Sequence, residues 1–231
     1  MEIKKPSVFI GTPSYDGKMQ SQYVLSLVQT VEKLRTIGYD AVIEVISGGA
    51  LLIESRNIIL SNFLKSDSEF LLMIDSDIGW NSDSVVNMIK RDLPFIAGVY
   101  TSKTDENEFL FQPLIVENTN QLDICKDTGL LKAEFAPAGF VLVKKSLVKH
   151  LYSAYNNLMY SYSDSEGDQA KYGQICGLFN TEVVNGRFIG EDNYFCKKVS
   201  DLGYDILVDP YISFNHSGIN SCLATKLVAP K

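Results

Sequence analysis

A chain of 231 residues with 45% hydrophobic and 21% charged residues is long enough to bury a core without disulfides, and its make-up excludes disordered, collagenous and coiled-coil classes. The net charge of −7 argues against a broad basic face and so against nucleic acid or anionic lipid as a partner; a phosphate-bearing ligand then needs local positive charge. The longest apolar runs, such as Phe70 to Ile74, are too short to cross a bilayer. The start, MEIKKPSVFIG, reads as a first strand rather than a signal peptide. A soluble, cytoplasmic protein with no integral membrane segment is expected.

The first hundred residues alternate strand and helix. The strand SVFIGT is followed by a helix near Gln20 to Ile37, in which Tyr23, Val24, Leu27, Val28, Val31 and Leu34 recur at helical spacing. Gly38 closes it, and VIEVI (42–46) is the second strand. A helical pattern from about Leu51 to Leu64, the strand FLLMI (70–74), a helix from Ser82 to about Arg91 and the strand FIAGVY (95–100) complete this part. Continuous apolar strands separated by helices imply a parallel sheet covered on both faces.

Beyond residue 100, FLFQPLIV (109–116), a polar turn from Glu117 to Gly129 and LLKAEFAPAGFVLVKK read as antiparallel strands that extend the same sheet. A helix near Ser146 to Asn156 leads into a Tyr-, Ser- and Asp-rich stretch, Tyr160 to Tyr172, which reads as a loop. A last helix, Asp192 to Leu202, precedes the strand ILVDP and the tail YISFNHSG. With no repeat and no long linker, one domain over 1–231 is expected. The four cysteines form no CxxC pair, so free thiols are the default.

Chemistry concentrates in a few places. In IDSDIGW, Asp75 and Asp77 directly follow a buried strand. Residues two apart on extended backbone point the same way, so both carboxylates can face one ligand at the carboxyl edge, where open α/β sheets bind ligands. Two hard oxygens suit Mg²⁺ or Mn²⁺, although acids after a strand also cap turns and helices. His216 is one of only two histidines and sits beyond the last strand. Joined to Asp77, its nitrogen would tilt the preference towards Mn²⁺; a histidine by itself is more often a surface or packed residue than a ligand. Glu191 and Asp192 open the last helix, where the helix dipole favours acids whatever their use. A carboxylate held there beside a substrate can also accept a proton. Arg56 and Asn57 can reach a phosphate or base edge, although a solvated Arg is the simpler local reading. Thr12, Pro13, Ser14, Tyr15 and Asp16 read as a polar, aromatic loop after the first strand. No GxGxxG or P-loop fingerprint occurs.

Taken in order, IGTPSYDG, SRN, LLMIDSDIGW, FIAGVYTSK, APAGFVLVKKSL, GRFIGEDNYFCKKVSDLG and FNHSG resemble the nucleotide-sugar-dependent glycosyltransferases of the GT-A fold, from about residue 7 to 218. The resemblance implies a mixed, mainly parallel, Rossmann-like sheet flanked by helices with a small antiparallel extension. It also implies a nucleotide-binding half over about 1–103 and an acceptor- and metal-completing half over about 104–231. By the same resemblance, Asp77 binds Mn²⁺ (or Mg²⁺) with His216 completing the site, and Asp75 serves the metal or the ribose beside Ser76. Arg56 and Asn57 lie near the nucleobase and ribose, Thr12, Pro13 and Tyr15 near the uridine, and Ala138 and Gly139 beside the donor sugar. Asp192 is the catalytic base, with Glu191 as neighbour or substitute.

The implied reaction is metal-dependent transfer of a hexosyl or deoxyhexosyl group from a nucleoside-diphosphate sugar, a UDP-sugar above all, to a hydroxyl of a carbohydrate or glycoconjugate acceptor, with inversion. The chain could be one domain of a larger glycosyltransferase. Tyr152, Tyr155, Tyr160, Tyr162 and Tyr172 could stack on an acceptor sugar or simply pack. The rival readings are a glycoside hydrolase built on two of the carboxylates, an inactive nucleotide-sugar-binding module and a sugar-phosphate nucleotidyltransferase. The last is disfavoured because no Gly-rich loop with Arg follows the first strand.

Overall fold

The computed structural model describes residues 5–49, 51–101, 109–161, 173–216 and 222–223. Its centre is an eight-stranded sheet in the order β2-β1-β3-β8-β5-β13-β7-β6. These strands are β1 (Ser7–Ser14), β2 (Asp40–Ser47), β3 (Phe70–Ile74), β5 (Phe95–Gly98), β6 (Gln112–Pro113), β7 (Leu131–Phe135), β8 (Phe140–Lys144) and β13 (Ile206–Asp209). β1 is parallel to β2 and β3, and β13 to β5, whereas β8 is antiparallel to both β3 and β5, and β7 to both β13 and β6. Six strands therefore run one way and β7 and β8 the other. This is the expected mixed, mainly parallel α/β sheet.

The antiparallel part is not all an extension, however: β8 sits in the middle, between β3 and β5. Its segment Phe140–Val143 is buried throughout, so it needs cover on both faces and neighbours on both edges. β8 is thereby inserted among the strands from before residue 103, while β13, β7 and β6 lie together beyond β5.

Alternation along β3 shows how the layers form. Phe70, Leu72 and Ile74 enter one core with Tyr23 and Leu34 of α1 (Ser21–Thr36) and with Val85, Met88 and Ile89 of α3 (Ser82–Arg91). Leu71 and Met73 enter the other, with Ile59, Leu60 and Phe63 of α2 (Leu52–Lys65), Leu147, Val148 and Leu151 of α4 (Lys145–Ala154), and Phe195 and Val199 of α5 (Glu191–Ser200). A strand buried on both faces has no polar phase, which is why FLLMI reads as an unbroken apolar run. α1 ends before Gly38 at φ +84°, a left-handed position suited to glycine. α3 starts at Asn81, whose side chain accepts the Asp83 N–H at 2.9 Å, and α5 starts after Gly190 with Glu191 and Asp192 in its first turn.

Some segments depart from the sequence reading. β1 continues through Pro13 and Ser14, paired with Ile46 and Ser47, so these residues are strand rather than loop. FIAGVY is strand only to Gly98, because pairing with β13 stops at Asp209. FLFQPLIV keeps only Gln112–Pro113 as strand, with bridges at Phe109 and Ile115; Pro113 has no N–H to donate and the register shifts there. Three short pieces were not anticipated: β4 (Ile78–Trp80), the pair β9 (Met159–Ser161) and β10 (Gln174–Cys176), and the hairpin β11 (Glu182–Val184) and β12 (Arg187–Ile189), the last despite its Asn185-Gly186 turn, both residues of which take positive φ. β14 (Ser213–His216) pairs with β4 and with β15 (Cys222–Leu223). The anticipated Tyr160–Tyr172 loop lies, beyond Ser161, outside the described residues, and Tyr162 and Tyr172 with it. Among the described residues Cys125, Cys176 and Cys196 are free thiols. No helix there is long and apolar enough to cross a membrane.

Candidate active site

A cleft of about 780 Å³ opens where the end of β3, the residues after β5 and the first turns of α2 and α5 meet. Asp75, Asp77, Glu191 and Asp192 line it together with Arg56 and Tyr100, and Leu52, Phe109, Leu110, Phe111, Phe135 and Pro137 form its apolar part. Asp75 is placed by β3 and by its N–H, which donates to the Gly139 carbonyl at 3.0 Å. The backbone then turns instead of running on: the Ile78 N–H bonds the Asp75 carbonyl at 3.3 Å. Both aspartates reach the cleft, but through this turn and not through the strand alternation anticipated from the sequence.

Arg56 is the pivot. Its side chain is only 2% exposed, against the solvated reading. Nη2 donates to Asp75 Oδ1 and Oδ2 at 3.2 and 3.4 Å, and Nη1 donates to Glu191 Oε1 at 3.2 Å and to Asp192 Oδ1. Its Nε has no partner among the described residues. Burial pulls the guanidinium pKa down, but Asp75, Asp192 and Glu191 more than offset this and raise it, so Arg56 stays charged. Its carbon centre lies 5.6 Å from the ring centroid of Phe179, within cation–π reach. Phe179 in turn stacks on Phe195 of α5 with centroids 4.4 Å apart.

Asp192 and Glu191 each keep about a quarter of the side chain exposed to the cleft (26%). Burial pushes Asp192 up to about 6, opposed by Arg56 and by the Ala138 N–H and reinforced by Glu191 and Asp75. A carboxylate with that affinity for a proton is suited to accept one near neutral pH. Tyr100 is buried, and its phenol is pushed well above the ordinary value, by burial first and then by Asp75 and Asp192; it stays protonated and can only donate to an anion. Gly139 is required here by space: a Cβ on it would lie 2.1 Å from the Tyr100 hydroxyl and 2.5 Å from Asp75 Oδ2.

The other expected residues fall elsewhere. Asn57 is buried and does not line the cleft; its Nδ2 donates to the Phe179 carbonyl at 2.9 Å and its Oδ1 accepts the Phe179 N–H at 2.8 Å. Thr12 is buried against the Tyr23 hydroxyl at 2.6 Å, Pro13 is buried in β1 and Tyr15 is 80% exposed beyond it; none of the three lines the cleft. Ser76 accepts the Gln20 N–H on its carbonyl at 3.0 Å. Ala138 is buried beside Asp192. The main chain of His216 pairs with that of Ile78, one residue beyond Asp77; its side chain lies outside what is described. Tyr152 and Tyr155 pack against the core, and Tyr160 pairs across β9–β10 with Ile175. Among the described residues no three His, Cys, Asp or Glu side chains form a ready group for a metal.

Sequence reasoning missed Tyr100, Leu52, Phe109–Phe111, Phe135 and Pro137. Apolar and aromatic residues at strand ends carry no motif and read as core. Only Tyr100 had a usable signal: a hydroxyl-bearing residue closing an apolar strand at the carboxyl edge.

No protein-family model matches the chain, and no curated protein matches it in sequence. Among solved structures it is similar to the catalytic domain of Drosophila beta1,4-galactosyltransferase 7 in complex with xylobiose (13% identity, 88% of this chain and 64% of that one, TM-score 0.46). It is similar also to S. aureus TarS 1–349 in complex with UDP-GlcNAc (13%, 88% and 56%, TM-score 0.45) and to the inositol-1-phosphate CTP transferase from T. maritima (9%, 94% and 92%, TM-score 0.46). The chain spans less than two thirds of the first two.

Proposed function

We propose that the protein is a glycosyltransferase that moves a sugar from a nucleoside-diphosphate sugar, a UDP-sugar above all, to an acceptor hydroxyl with inversion, using Asp192 as the base. The observation that carries this reading is the convergence of Asp75, Asp77, Glu191 and Asp192 in one cleft at the carboxyl edge of the sheet, with Asp192 raised to about 6. An acceptor hydroxyl is a poor nucleophile near neutral pH. Asp192, on the rigid first turn of α5, would take its proton as the oxygen attacks the anomeric carbon and the bond to the diphosphate breaks. Attack in line with the leaving group inverts the anomer. Glu191, sharing Arg56 with Asp192, stands ready as neighbour or substitute. The apolar part of the cleft excludes water and offers faces for sugar C–H groups, so that positioning supplies part of the acceleration.

The two carboxylates of the Asp75–Asp77 turn are hard oxygen donors suited to a divalent cation. Asp77 presents hard oxygens to the cleft, Asp75 keeps lone pairs beyond its long contacts to Arg56, and the β4–β14 register brings the His216 main chain beside this turn. Mn²⁺ or Mg²⁺ would be held by Asp77 with Asp75 and His216, and when bound would neutralise the diphosphate charge that otherwise faces four carboxylates. Mutual repulsion of acids and diphosphate is the physical reason a cation is expected.

The test is a screen of UDP-, GDP-, CDP- and dTDP-sugars with Mn²⁺, detecting slow donor hydrolysis as well as transfer, because that readout needs no acceptor. UDP release from a UDP-sugar is the expected result. No nucleotide release with any donor, alongside tight donor binding, would favour an inactive binding module, and hydrolysis of plain glycosides would favour a glycoside hydrolase. Formation of a nucleotide sugar from sugar phosphate and nucleoside triphosphate would favour a nucleotidyltransferase.

A further inference from the structure

We propose that Arg56 is a positioning residue: an internal cation that ties Asp192 on α5 to Asp75 on β3 and so fixes the base relative to the donor-facing edge of the sheet. The proposal rests on Asp192 being the base, and it moves Arg56 away from the nucleobase contact that the sequence suggested. Three observations carry it. Both Nη groups are engaged within the protein, Nη1 on Glu191 and Asp192 and Nη2 on Asp75, at 2% exposure. It bridges two elements that are distant in sequence, and among the described residues lining the cleft the other charged groups are all acids. Finally, the guanidinium is itself held. Phe179 lies against it at 5.6 Å, backed by Phe195, and the backbone of Phe179 is locked on both its N–H and its carbonyl by Asn57, the next residue of α2. Adjacent residues of one helix thus serve the site differently, Arg56 by charge and Asn57 by fixing the ring that shelves the charge. A planar fork suits this task and a lysine does not, because an ammonium cannot present two parallel donors to acids on opposite sides.

The experiment combines kinetics with an unfolding cycle. Arg56→Lys keeps the buried charge and loses the fork; with a UDP-sugar as probe it should lower kcat by about tenfold or more while leaving donor KM within about threefold, the pattern of a misplaced reacting group. The uncharged Arg56→Met should lose more, with Lys restoring part of it. Near-normal kcat with donor KM raised about tenfold would return Arg56 to donor contact and overturn the proposal. Thermal unfolding of wild type, Arg56→Met, Asp192→Asn and the double variant reads the bridge without any turnover. The loss in the double variant should be clearly smaller than the two single losses together, because removing one acid relieves the repulsion that the missing cation exposes. Additive losses would show no bridge and overturn it. If no UDP-sugar is turned over by the wild type, the proposed reaction falls, while the unfolding cycle still decides whether Arg56 couples α5 to β3.

Discussion

Replacing Gly139 by alanine tests the compactness of the site more sharply than any change of charge. The new methyl carbon would stand 2.1 Å from the Tyr100 hydroxyl oxygen, 2.5 Å from Asp75 Oδ2 and 3.0 Å from Asp75 Cγ. Ordinary contacts begin near about 3.5 Å, so the closest approach is too short by more than about 1 Å. Neither neighbour can yield cheaply. Tyr100 is buried with its ring against Phe214 at 5.7 Å, and Asp75 is held by Arg56 and, through its N–H, by the Gly139 carbonyl itself. Overpacking of this kind costs about 1–3 kcal/mol, and for a chain of this size each kcal/mol lowers Tm by about 2–4 °C. Gly139→Ala should therefore melt about 2–12 °C below wild type. Because Asp75 must shift, UDP release should fall further than the lost stability explains, at temperatures where the variant remains folded. Adding Tyr100→Phe removes the closer clash and should recover part of the Tm. The assay is differential scanning calorimetry of wild type and the two variants together with UDP release at 25 °C. An unchanged Tm and unchanged turnover in Gly139→Ala would refute the packing argument and the placement of Asp75 with it.

Asp192→Asn should cut transfer by about 10²–10⁴-fold while calorimetry finds donor affinity nearly intact; an active variant would move the base to Glu191. With Mn²⁺ present, kcat/KM for UDP release should fall towards acid pH, where Asp192, raised to about 6 by burial, takes up its proton. Stability shifts the other way. The folded pKa is raised from 3.8 to about 6, so between those values the folded state binds the extra proton, and the Asp192 contribution to stability declines as pH rises through that window. The Tm difference between wild type and Asp192→Asn, followed from pH 4 to 7, should change with that sign; a flat difference would contradict it. Mn²⁺ titrations by calorimetry should show UDP binding that depends on the metal, weakened by Asp77→Asn and by His216→Ala, whereas metal-independent UDP binding would count against a cation at Asp77. Asn57→Ala leaves the buried N–H and carbonyl of Phe179 without partners, at about 1–3 kcal/mol for each unsatisfied group, and should lower the urea midpoint clearly.

What the sequence could and could not reveal follows from the range of each physical signal. Periodicity is local, so it located β3 and α3 to the residue and missed only pieces such as β4 and β9, where three residues cannot establish a phase. Sheet order is non-local. Nothing within FVLV distinguishes an edge hairpin from a central strand, yet Phe140–Val143 proves to be the antiparallel strand between β3 and β5. The site divides along the same line. Asp75 and Asp77 were legible because acids closing an apolar strand are unusual against their surroundings, whereas Glu191 and Asp192, in a helix first turn where acids are common, stood out only through the ordered set of motifs. Arg56 and Asn57 were noticed for the right chemistry, a cation and an amide among apolar residues, but were assigned outward to a ligand. Their partners, Glu191 and Asp192 for Arg56 and Phe179 for Asn57, lie more than a hundred residues away in sequence. A buried cation among apolar residues requires a counter-charge somewhere in the chain. Where a sequence holds one arginine inside an apolar helix face and two unpaired acids opening another helix, the pairing is itself a prediction about which helices meet. In this chain that pairing is Arg56 of α2 with Glu191 and Asp192 of α5.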